Sequence, residues 1–442
     1  MIITIVAFFV QGLILYALRA IGFNIPYVNS VAWIIVLLTS LVFLIAIPFK
    51  YDGKYYDFTT IGILYLGYAA RLVLMWWDIY YRQVFNLVHS GGDSESFYFA
   101  ASQMYLGMVD AAHFNNFQQF VFQVFSIFGL HRILAQYTNF LLAMCAIFVT
   151  YEIIKKYNVH PNAARIALFI ALFFPNFAIL NVILLREIQI VTAIIVSFYL
   201  FTIWFDNGNI LALVASFLTL MIGAYFHAGI PGLIVGYLVI MALYNRKQQR
   251  FVITKNTIVL GLIGFLIFFL ATVIFPDQFD VFLGRDLEDH LAFAGHVYND
   301  DGAGFAVMLE TPWPYLDFIV NTPLRIIYLV ISPMVWDWRG VNDIISSILS
   351  GVFYLLFWIL ILQTVMRKKD IHNRNVLIMT MIFTLFGLFV YAWGVRNAGT
   401  AMRHRDKFLL LHVIMLAVCF DRRVNIKLSA NTIIRDIRRG GF

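Results

Sequence analysis

Charge is scarce in this sequence. Lys and Arg total 31 and Asp and Glu total 24 among 442 residues, so charged residues make up 12% of the chain, against about 25% in a typical soluble protein. Hydrophobic residues make up 62%, and 44 of them are Phe. A soluble protein of this length could not bury so much apolar side chain, because a large share of its surface faces water. The composition therefore excludes a soluble enzyme and predicts an all-α, polytopic membrane protein.

Cysteine and nucleotide-binding motifs are also lacking. The two cysteines, Cys145 and Cys419, lie in apolar runs, which excludes a disulfide framework and a cysteine-based metal site. The absence of a GxxxxGK[ST] motif excludes a P-loop ATPase. Residues 2–20 follow no basic region and contain no small-residue cleavage site, so we expect a retained span. The net charge of +7 is explained by loops that face the cytoplasm, and nucleic acid is not an expected partner.

Apolar runs of about 20 residues, each long enough to cross a bilayer as a helix, recur along the chain. They predict a transmembrane helical bundle of about twelve spans: 2–20, 30–48, 60–79, 134–154, 162–182, 186–205, 209–227, 230–245, 257–276, 345–366, 375–394 and 407–420. Two interrupted stretches, 117–133 and 316–334, are interpreted as amphipathic or re-entrant helices at the outer membrane surface. We expect one bundle over residues 1–420 and a basic cytoplasmic tail over residues 421–442.

The basic residues orient this bundle. With the N-terminus in the cytoplasm, most Lys and Arg fall in inner loops, in the groups that begin at Lys50, Lys155, Arg246 and Arg367, and in the tail. The segment 277–310 then lies outside, and it is strongly acidic. This distribution satisfies the positive-inside rule. We therefore expect a multi-pass protein of a bacterial plasma membrane, with both termini in the cytoplasm.

On this topology an outer loop carries the motif GGDSE, residues 91–95, after the span 60–79. The two glycines permit a tight turn, and Asp93 or Ser94 is a suitable cap for the helix that follows. A cap explains one acid, but it does not explain a turn that presents two acids at the membrane surface. We therefore predict that Asp93 and Glu95 are catalytic carboxylates.

The basic residues that remain on the outer face are almost all arginine, which binds phosphate and carboxylate groups through a bidentate fork. Arg186 and Glu187 begin the helix that follows Pro175. A glutamate suits a helix N-terminus and an arginine does not, so a bound phosphate would explain Arg186. The predicted phosphate-binding residues are Arg186, Arg396, Arg403 and Arg405. The predicted auxiliary groups are Glu187, His227 and His404.

Other charged residues have simpler interpretations. Arg71 is predicted near the middle of a span, where a charge is costly and therefore a functional candidate, although a shift of one turn would make it interfacial. Arg19, Arg82 and Arg132 are interpreted as anchors whose side chains reach the lipid headgroups. The acidic side chains of segment 277–310 are interpreted as groups that face water. The sequence leaves open whether the protein binds a divalent metal ion for its function.

Acids and arginines on one face of a membrane protein suit an anionic headgroup carried on an apolar tail, as in a polyprenyl-phosphate- or pyrophosphate-linked saccharide. A carboxylate would take the proton of the incoming hydroxyl, and arginines would stabilise the charge on the departing phosphate. The expected partners are this lipid-linked saccharide, a glycan acceptor and membrane lipids.

A resemblance agrees with this chemistry. The segment GGDSESFYFAA resembles the first outer loop of GT-C-type membrane glycosyltransferases, and FPNFAILNVILLREIQIV, TPLRIIYLVISPMVW and AGTAMRHRDKFLLL are similar to stretches of capsule and exopolysaccharide assembly proteins, including O-antigen-type polymerases. The resemblance implies a GT-C-like core over residues 60–420, preceded by additional spans within 1–59. It also implies that Asp93, and secondarily Glu95, acts as a base or helps to bind a metal ion.

Two other functions are compatible with the sequence. A lipid-linked oligosaccharide flippase or another secondary transporter would place charges near the bilayer midplane, whereas here only Arg71 is predicted there. A non-catalytic lipid-binding subunit would need arginines but no positioned carboxylate. We expect a membrane glycosyltransferase of cell-surface polysaccharide assembly, with its active site on the extracytoplasmic face.

Overall fold

The structure is a computed structural model that describes residues 29–227, 229–252, 259, 314–367, 372–395 and 397–421. Within these ranges the chain is predominantly α-helical and has almost no strand, which agrees with the expected all-α fold. The helices are α1 (Asn29–Ala46), α2 (Phe58–Tyr80), α3 (Gly92–Tyr105), α4 (Asn116–Phe128), α5 (Arg132–Lys156), α6 (Pro161–Phe173), α7 (Pro175–Leu180), α8 (Glu187–Asn207), α9 (Ile210–Phe226), α10 (Gly232–Leu243), α11 (Pro314–Ile331), α12 (Val341–Ser346), α13 (Val352–Arg367), α14 (Arg374–Trp393), α15 (Ala398–Asp406) and α16 (Leu409–Asp421). The strands β1 (Tyr244–Asn245) and β2 (Arg250–Phe251) form a short antiparallel pair.

Six helical segments of the described chain are long and apolar enough to cross a membrane. They are Val31–Lys50, Phe58–Tyr80, Arg132–Lys156, Glu187–Asn207, Asp343–Met366 and Arg374–Trp393. Shorter apolar helices accompany them: Pro161–Phe173, Ile210–Phe226, Gly232–Leu243, Ile319–Ile331 and Leu409–Asp421. The chain is therefore a membrane protein with several apolar helices, while the expected total of twelve spans stays a prediction. The expected spans 2–20 and 257–276 and the tail beyond residue 421 lie outside the described residues.

One expected span is interrupted. Residues 162–182 are not a single helix, because α6 ends at Phe173 and α7 begins at Pro175. Proline lacks an N–H and disfavours helical backbone at the residue before it. Phe174 accordingly has extended backbone, with φ −61° and ψ 116°. A proline inside an apolar run is expected to kink the helix, and here the structure shows a complete break.

Buried arginines bind the carbonyl groups at the ends of helices. Arg71, Arg325 and Arg405 are all fully buried. Arg71 donates to the carbonyls of the last turn of α6, and Arg325 donates to the carbonyls of Ala392, at 3.0 Å, and Val395, at 2.6 Å, where α14 ends. The last four carbonyls of a helix lack intrahelical donors and carry partial negative charge. A guanidinium group placed there donates hydrogen bonds to these carbonyls, and its positive charge offsets their partial negative charge. This explains why a buried arginine is tolerated at each of these positions.

The chain divides into two compact units. Unit 1 comprises Met1–Glu152 and Leu168–Val196, and unit 2 comprises Ile153–Ala167 and Ser197–Phe442. The predicted site residues are therefore distributed between the units. Those in unit 1 are Asp93, Glu95, Arg186 and Glu187. Those in unit 2 are His227, Arg396, Arg403, His404 and Arg405.

The core of unit 1 contains a buried network of hydroxyl groups. The hydroxyls of Tyr68 on α2 and Tyr137 on α5 are 2.7 Å apart, and Ser40 on α1 lies 2.8 Å from the hydroxyl of Tyr68. The ring of Phe140 meets Tyr68 edge-on at 4.6 Å. These contacts join α1, α2 and α5 in the core of unit 1.

Candidate functional site

The GGDSE motif forms the beginning of α3. Gly91 has φ +102°, a conformation that glycine adopts at little cost. Ser94, rather than Asp93, makes the contacts of the turn: its hydroxyl donates to the carbonyl of Gly91 at 2.9 Å and accepts from the N–H of Gly91 at 3.2 Å. Asp93 is exposed in the first turn of the helix. The alternative role of Asp93 as helix cap is therefore not the one that the structure shows.

Glu95 is the centre of an ionic cluster. Its Oε1 accepts from Nη1 of Arg82, in the loop after α2, and lies 2.5 Å from Nη1 of Arg132, the first residue of α5. Burial alone would raise the pKa of Glu95, but hydrogen bonds and charge from Arg82 and Arg132 outweigh burial and lower this pKa. Glu95 is therefore a carboxylate at neutral pH.

A second carboxylate, that of Asp78, contacts the same arginine as Glu95. Asp78, near the end of α2, is fully buried. It accepts from the hydroxyl of Ser90 and, at 2.6 Å, from Nε2 of Gln136, and its Oδ2 is 3.5 Å from Nη2 of Arg132. We call Asp78, Arg82, Glu95 and Arg132 the arginine–carboxylate cluster. Its two negative and two positive charges balance.

Two of these charges oppose the dipoles of their own helices. Asp78 lies in the last turn of α2, which carries partial negative charge, and Arg132 begins α5, where the partial charge is positive. Neither charge stabilises its helix through the dipole. A buried ion pair is also weak evidence for stability, because desolvation offsets the attraction. The arrangement is therefore better explained by binding than by folding.

Arg132 and Gln136 have polar atoms that remain available. In the described part of the chain, Nε of Arg132 has no hydrogen-bond acceptor, Nη2 has the ion pair with Asp78 but no hydrogen bond, and Oε1 of Gln136 has no donor. Gln136 is fully buried one helical turn beyond Arg132, and the ring of Tyr98 lies 5.3 Å from the guanidinium group. Buried polar groups are normally hydrogen-bonded. The site can therefore accept a polar group that both receives and donates hydrogen bonds.

Of the four residues of this cluster, sequence reasoning identified Glu95 and missed Asp78, Arg82 and Arg132. Arg82 and Arg132 are interpreted above as headgroup anchors, yet the structure pairs both with Glu95. The signal was present, because Arg132 begins a helix in the same unfavourable position that singles out Arg186. The missing information was that the loop after α2 and the start of α5 meet at α3.

Arg186 and Glu187 lie in unit 1 but do not form the local ion pair that adjacent opposite charges suggest. Arg186 is half-buried, and no ion pair or hydrogen bond joins it to another residue of the described chain. Glu187 is 5% exposed, and its Oε2 has no hydrogen-bond donor among the described residues. Asn139 donates to the carbonyls of Ile183, at 3.0 Å, and Leu185, at 2.9 Å, which orders the backbone that leads into α8.

Within unit 2 the structure brings together the two predicted histidines. The rings of His227 and His404 are 5.2 Å apart, and each lies 4.8 Å from the ring of Tyr391. Nδ1 of His227 accepts from the N–H of Gly229 at 3.0 Å. Nζ of Lys407 is 3.3 Å from Nδ1 of His404.

The predicted arginines of unit 2 differ in their surroundings. Arg403 is half-buried on α15. Arg405 is fully buried, and its Nη1 donates to the carbonyls of Val330, at 3.0 Å, and Ser332, at 2.5 Å, where α11 ends. Arg405 therefore joins α15 to the end of α11. Arg396 lies outside the described residues.

A protein-only metal site is not apparent in the described part of the chain. No group of three or more His, Cys, Asp or Glu side chains there is arranged to hold a metal ion. The acidic segment 277–310 lies outside the described residues, so the structure does not bear on a metal site in that segment.

No protein-family model matches this chain, and no curated protein or solved structure matches it.

Proposed function

We propose that this protein is a membrane glycosyltransferase of cell-surface polysaccharide assembly. It transfers a sugar or a repeat unit from a polyprenyl-phosphate- or pyrophosphate-linked donor to a glycan acceptor on the extracytoplasmic face of a bacterial plasma membrane. The observation that supports this proposal is the arginine–carboxylate cluster at the end of an apolar helix, two residues from the exposed Asp93. An anionic headgroup with an apolar tail needs cations at such a place.

The two acids of the GGDSE motif have different roles in this proposal. Glu95 binds two arginines and has a lowered pKa, which makes it a weak base, so we do not assign it the proton transfer. Asp93 is exposed on the same helical turn and is the proposed general base. The acceptor oxygen attacks the anomeric carbon, the bond from that carbon to the phosphate oxygen breaks, and Asp93 takes the hydroxyl proton. The electron pair leaves with the phosphate, whose charge the arginines stabilise.

The remaining predicted residues keep their proposed roles. Arg186 has no partner in the described chain and is available to a phosphate, and the buried Glu187 lies beside it. In unit 2 we propose phosphate contacts for Arg396 and Arg403, and for Nε and Nη2 of Arg405, which have no acceptor among the described residues. His227 and His404 are proposed as auxiliary groups.

The alternative function, a flippase or other secondary transporter, depends on charges inside the membrane. Arg71 is the one such charge that the sequence indicates, and its guanidinium group binds the carbonyls of Ala171 and Leu172. Its burial is thereby explained by the break between α6 and α7, and it does not favour transport.

Replacing Asp93 tests the proposed function. With the purified protein and lipid-linked saccharides extracted from its native host, Asp93→Asn should lower the transfer rate at least about 100-fold, because a positioned base contributes roughly that factor or more. Asp110→Asn is the matched control, since Asp110 is an acid of the same unit that only caps a short turn; it should leave transfer unchanged. Undiminished transfer by a folded Asp93→Asn variant would exclude Asp93 as the base.

A further inference from the structure

We propose that Arg82 and Arg132 form an anion clamp for a monoanionic phosphodiester, and that Glu95 is the internal ligand that occupies this clamp until the phosphodiester displaces it. The inference deepens the proposed function and rests on it for the source of the ligand, a lipid-linked saccharide. The clamp itself is argued from the geometry and charge of unit 1.

The first step is that two arginines converge on one oxygen atom. Both guanidinium groups bind the same oxygen of Glu95, although Arg82 lies in a loop and Arg132 begins a helix. A phosphate oxygen resembles a carboxylate oxygen in charge and in the hydrogen bonds that it accepts. The position of Oε1 is therefore one that a phosphate oxygen can take.

The second step is that one of the two carboxylates can be displaced. The side chain of Glu95 is 42% exposed and that of Arg82 is 25% exposed, and ion pairs that face water contribute little free energy. Asp78 is fully buried and held by Ser90 and Gln136. Glu95 can therefore turn into solvent at small cost, while Asp78 stays in place beside Arg132.

The third step is charge. When Glu95 leaves, Arg82 and Arg132 face only Asp78, and the cluster keeps one positive charge. A phosphodiester carries one negative charge and restores the balance, whereas a doubly charged phosphate or pyrophosphate leaves an uncompensated charge beside the buried Asp78. Nε of Arg132 and Oε1 of Gln136, which have no hydrogen-bond partner among the described residues, can bind a further oxygen and a hydroxyl of the same ligand. A saccharide linked to its lipid through a single phosphate has these groups.

Binding measurements on the purified full-length protein test the clamp. The probes are dihexanoyl phosphatidylglycerol, a lipid phosphodiester; glycerophosphoglycerol, the same headgroup without a tail; inorganic phosphate; and zwitterionic dihexanoyl phosphatidylcholine. Glu95→Gln removes the internal ligand and should tighten phosphatidylglycerol binding about fivefold, as expected when a competing, partly exposed ion pair is lost. A contact that merely positions the arginines predicts the opposite sign.

Two further variants complete the test. When Arg132→Gln is combined with Glu95→Gln, phosphatidylglycerol binding should no longer be tighter than in the wild type. If Arg132→Gln does not fold, Arg82→Gln, in the more exposed loop, takes its place. Glu152→Gln is the matched control, because Glu152 forms a comparably exposed ion pair with Lys50 in the same unit; it should leave the dissociation constant unchanged. Unchanged or weaker phosphatidylglycerol binding by Glu95→Gln, or a gain that survives loss of the arginine, would overturn the clamp.

The probes separate the sources of the ligand. A gain for phosphatidylglycerol alone assigns the clamp to a lipid headgroup, and an equal gain for glycerophosphoglycerol assigns it to a phosphodiester irrespective of the tail. An equal gain for inorganic phosphate or phosphatidylcholine would refute the selectivity for a monoanionic phosphodiester. Transfer by Asp93→Asn and probe binding by Glu95→Gln are separate measurements on separate residues, so failure of the proposed function and failure of the clamp are distinguishable.

Discussion

Arginine side chains have two different uses in this protein. Arg71, Arg325 and Arg405 are fully buried and bind carbonyls at helix ends, whereas Arg82 and Arg132 bind a partly exposed carboxylate. The first use satisfies backbone carbonyl groups at the ends of helices. The second use joins groups whose charges oppose their helix dipoles and leaves donors available. Burial of an arginine is therefore less informative about function than the kind of acceptor that it meets.

The ion pairs of Glu95 predict a pH dependence of stability. Because the pKa of Glu95 in the folded protein lies below the ordinary value of 4.5, its contribution is fully present above pH 4.5 and is lost as the pH falls through the folded value. At pH 7 Glu95→Gln should lower the unfolding temperature by about 1 to 2 °C, a small shift because the pair is partly exposed.

Thermal unfolding of both proteins in nanodiscs between pH 7 and pH 3 measures this effect. The difference in unfolding temperature should become smaller as the pH falls through the lowered pKa of the wild-type carboxyl. A difference that does not decrease on acidification would show that the substitution acts through packing rather than through charge.

At the scale of the element, α3 depends on one backbone conformation. Gly91 has φ +102°, and Ser94 closes the turn on the backbone of Gly91. This turn sets the direction of α3 and hence the positions of Asp93 and Glu95. The neighbouring Gly92 has no positive φ and no atom within 4 Å of a Cβ added there.

This contrast between adjacent glycines yields a prediction. Gly91→Ala should destabilise the protein by about 1 kcal/mol or more, because an L side chain is strained at this φ. It should also lower transfer, since Asp93 moves with the turn. Gly92→Ala should leave stability and transfer close to those of the wild type. Thermal unfolding and the transfer assay measure both effects, and equal losses for the two variants would contradict the role of Gly91.

Helix boundaries show how far local sequence reasoning extends. The apolar run at 134–154 predicts α5, which spans Arg132–Lys156, and the run at 375–394 predicts α14, which spans Arg374–Trp393. The run at 162–182 predicts one span, and the structure divides it at Pro175. Apolar length is a local property, whereas a complete break requires a partner for the freed carbonyls. That partner, Arg71, lies on another helix.

At the scale of the whole molecule, orientation in the membrane is the prediction to test. Both native cysteines are buried, so we expect a maleimide to label only the introduced cysteines. Ser96 on α3 and Lys54 before α2 are exposed and are expected outside and inside, respectively. A membrane-impermeant maleimide should label Ser96→Cys in intact bacterial cells, and it should label Lys54→Cys only after the cells are permeabilised. The reverse pattern would invert the proposed topology and place the GGDSE motif in the cytoplasm.

The sequence by itself determined that this is a helical membrane protein, and it located the GGDSE motif and most helices of the described chain. These properties follow from the composition and from the length of the apolar runs, both of which can be read from neighbouring residues in the sequence. Only the tertiary structure decided that Arg82 and Arg132 meet at Glu95, that His227 lies beside His404, and that Arg71 ends a helix. Each of these contacts joins residues far apart in the chain. The physical reason is that the packing of helices, rather than any local pattern, selects the partner of each charged side chain.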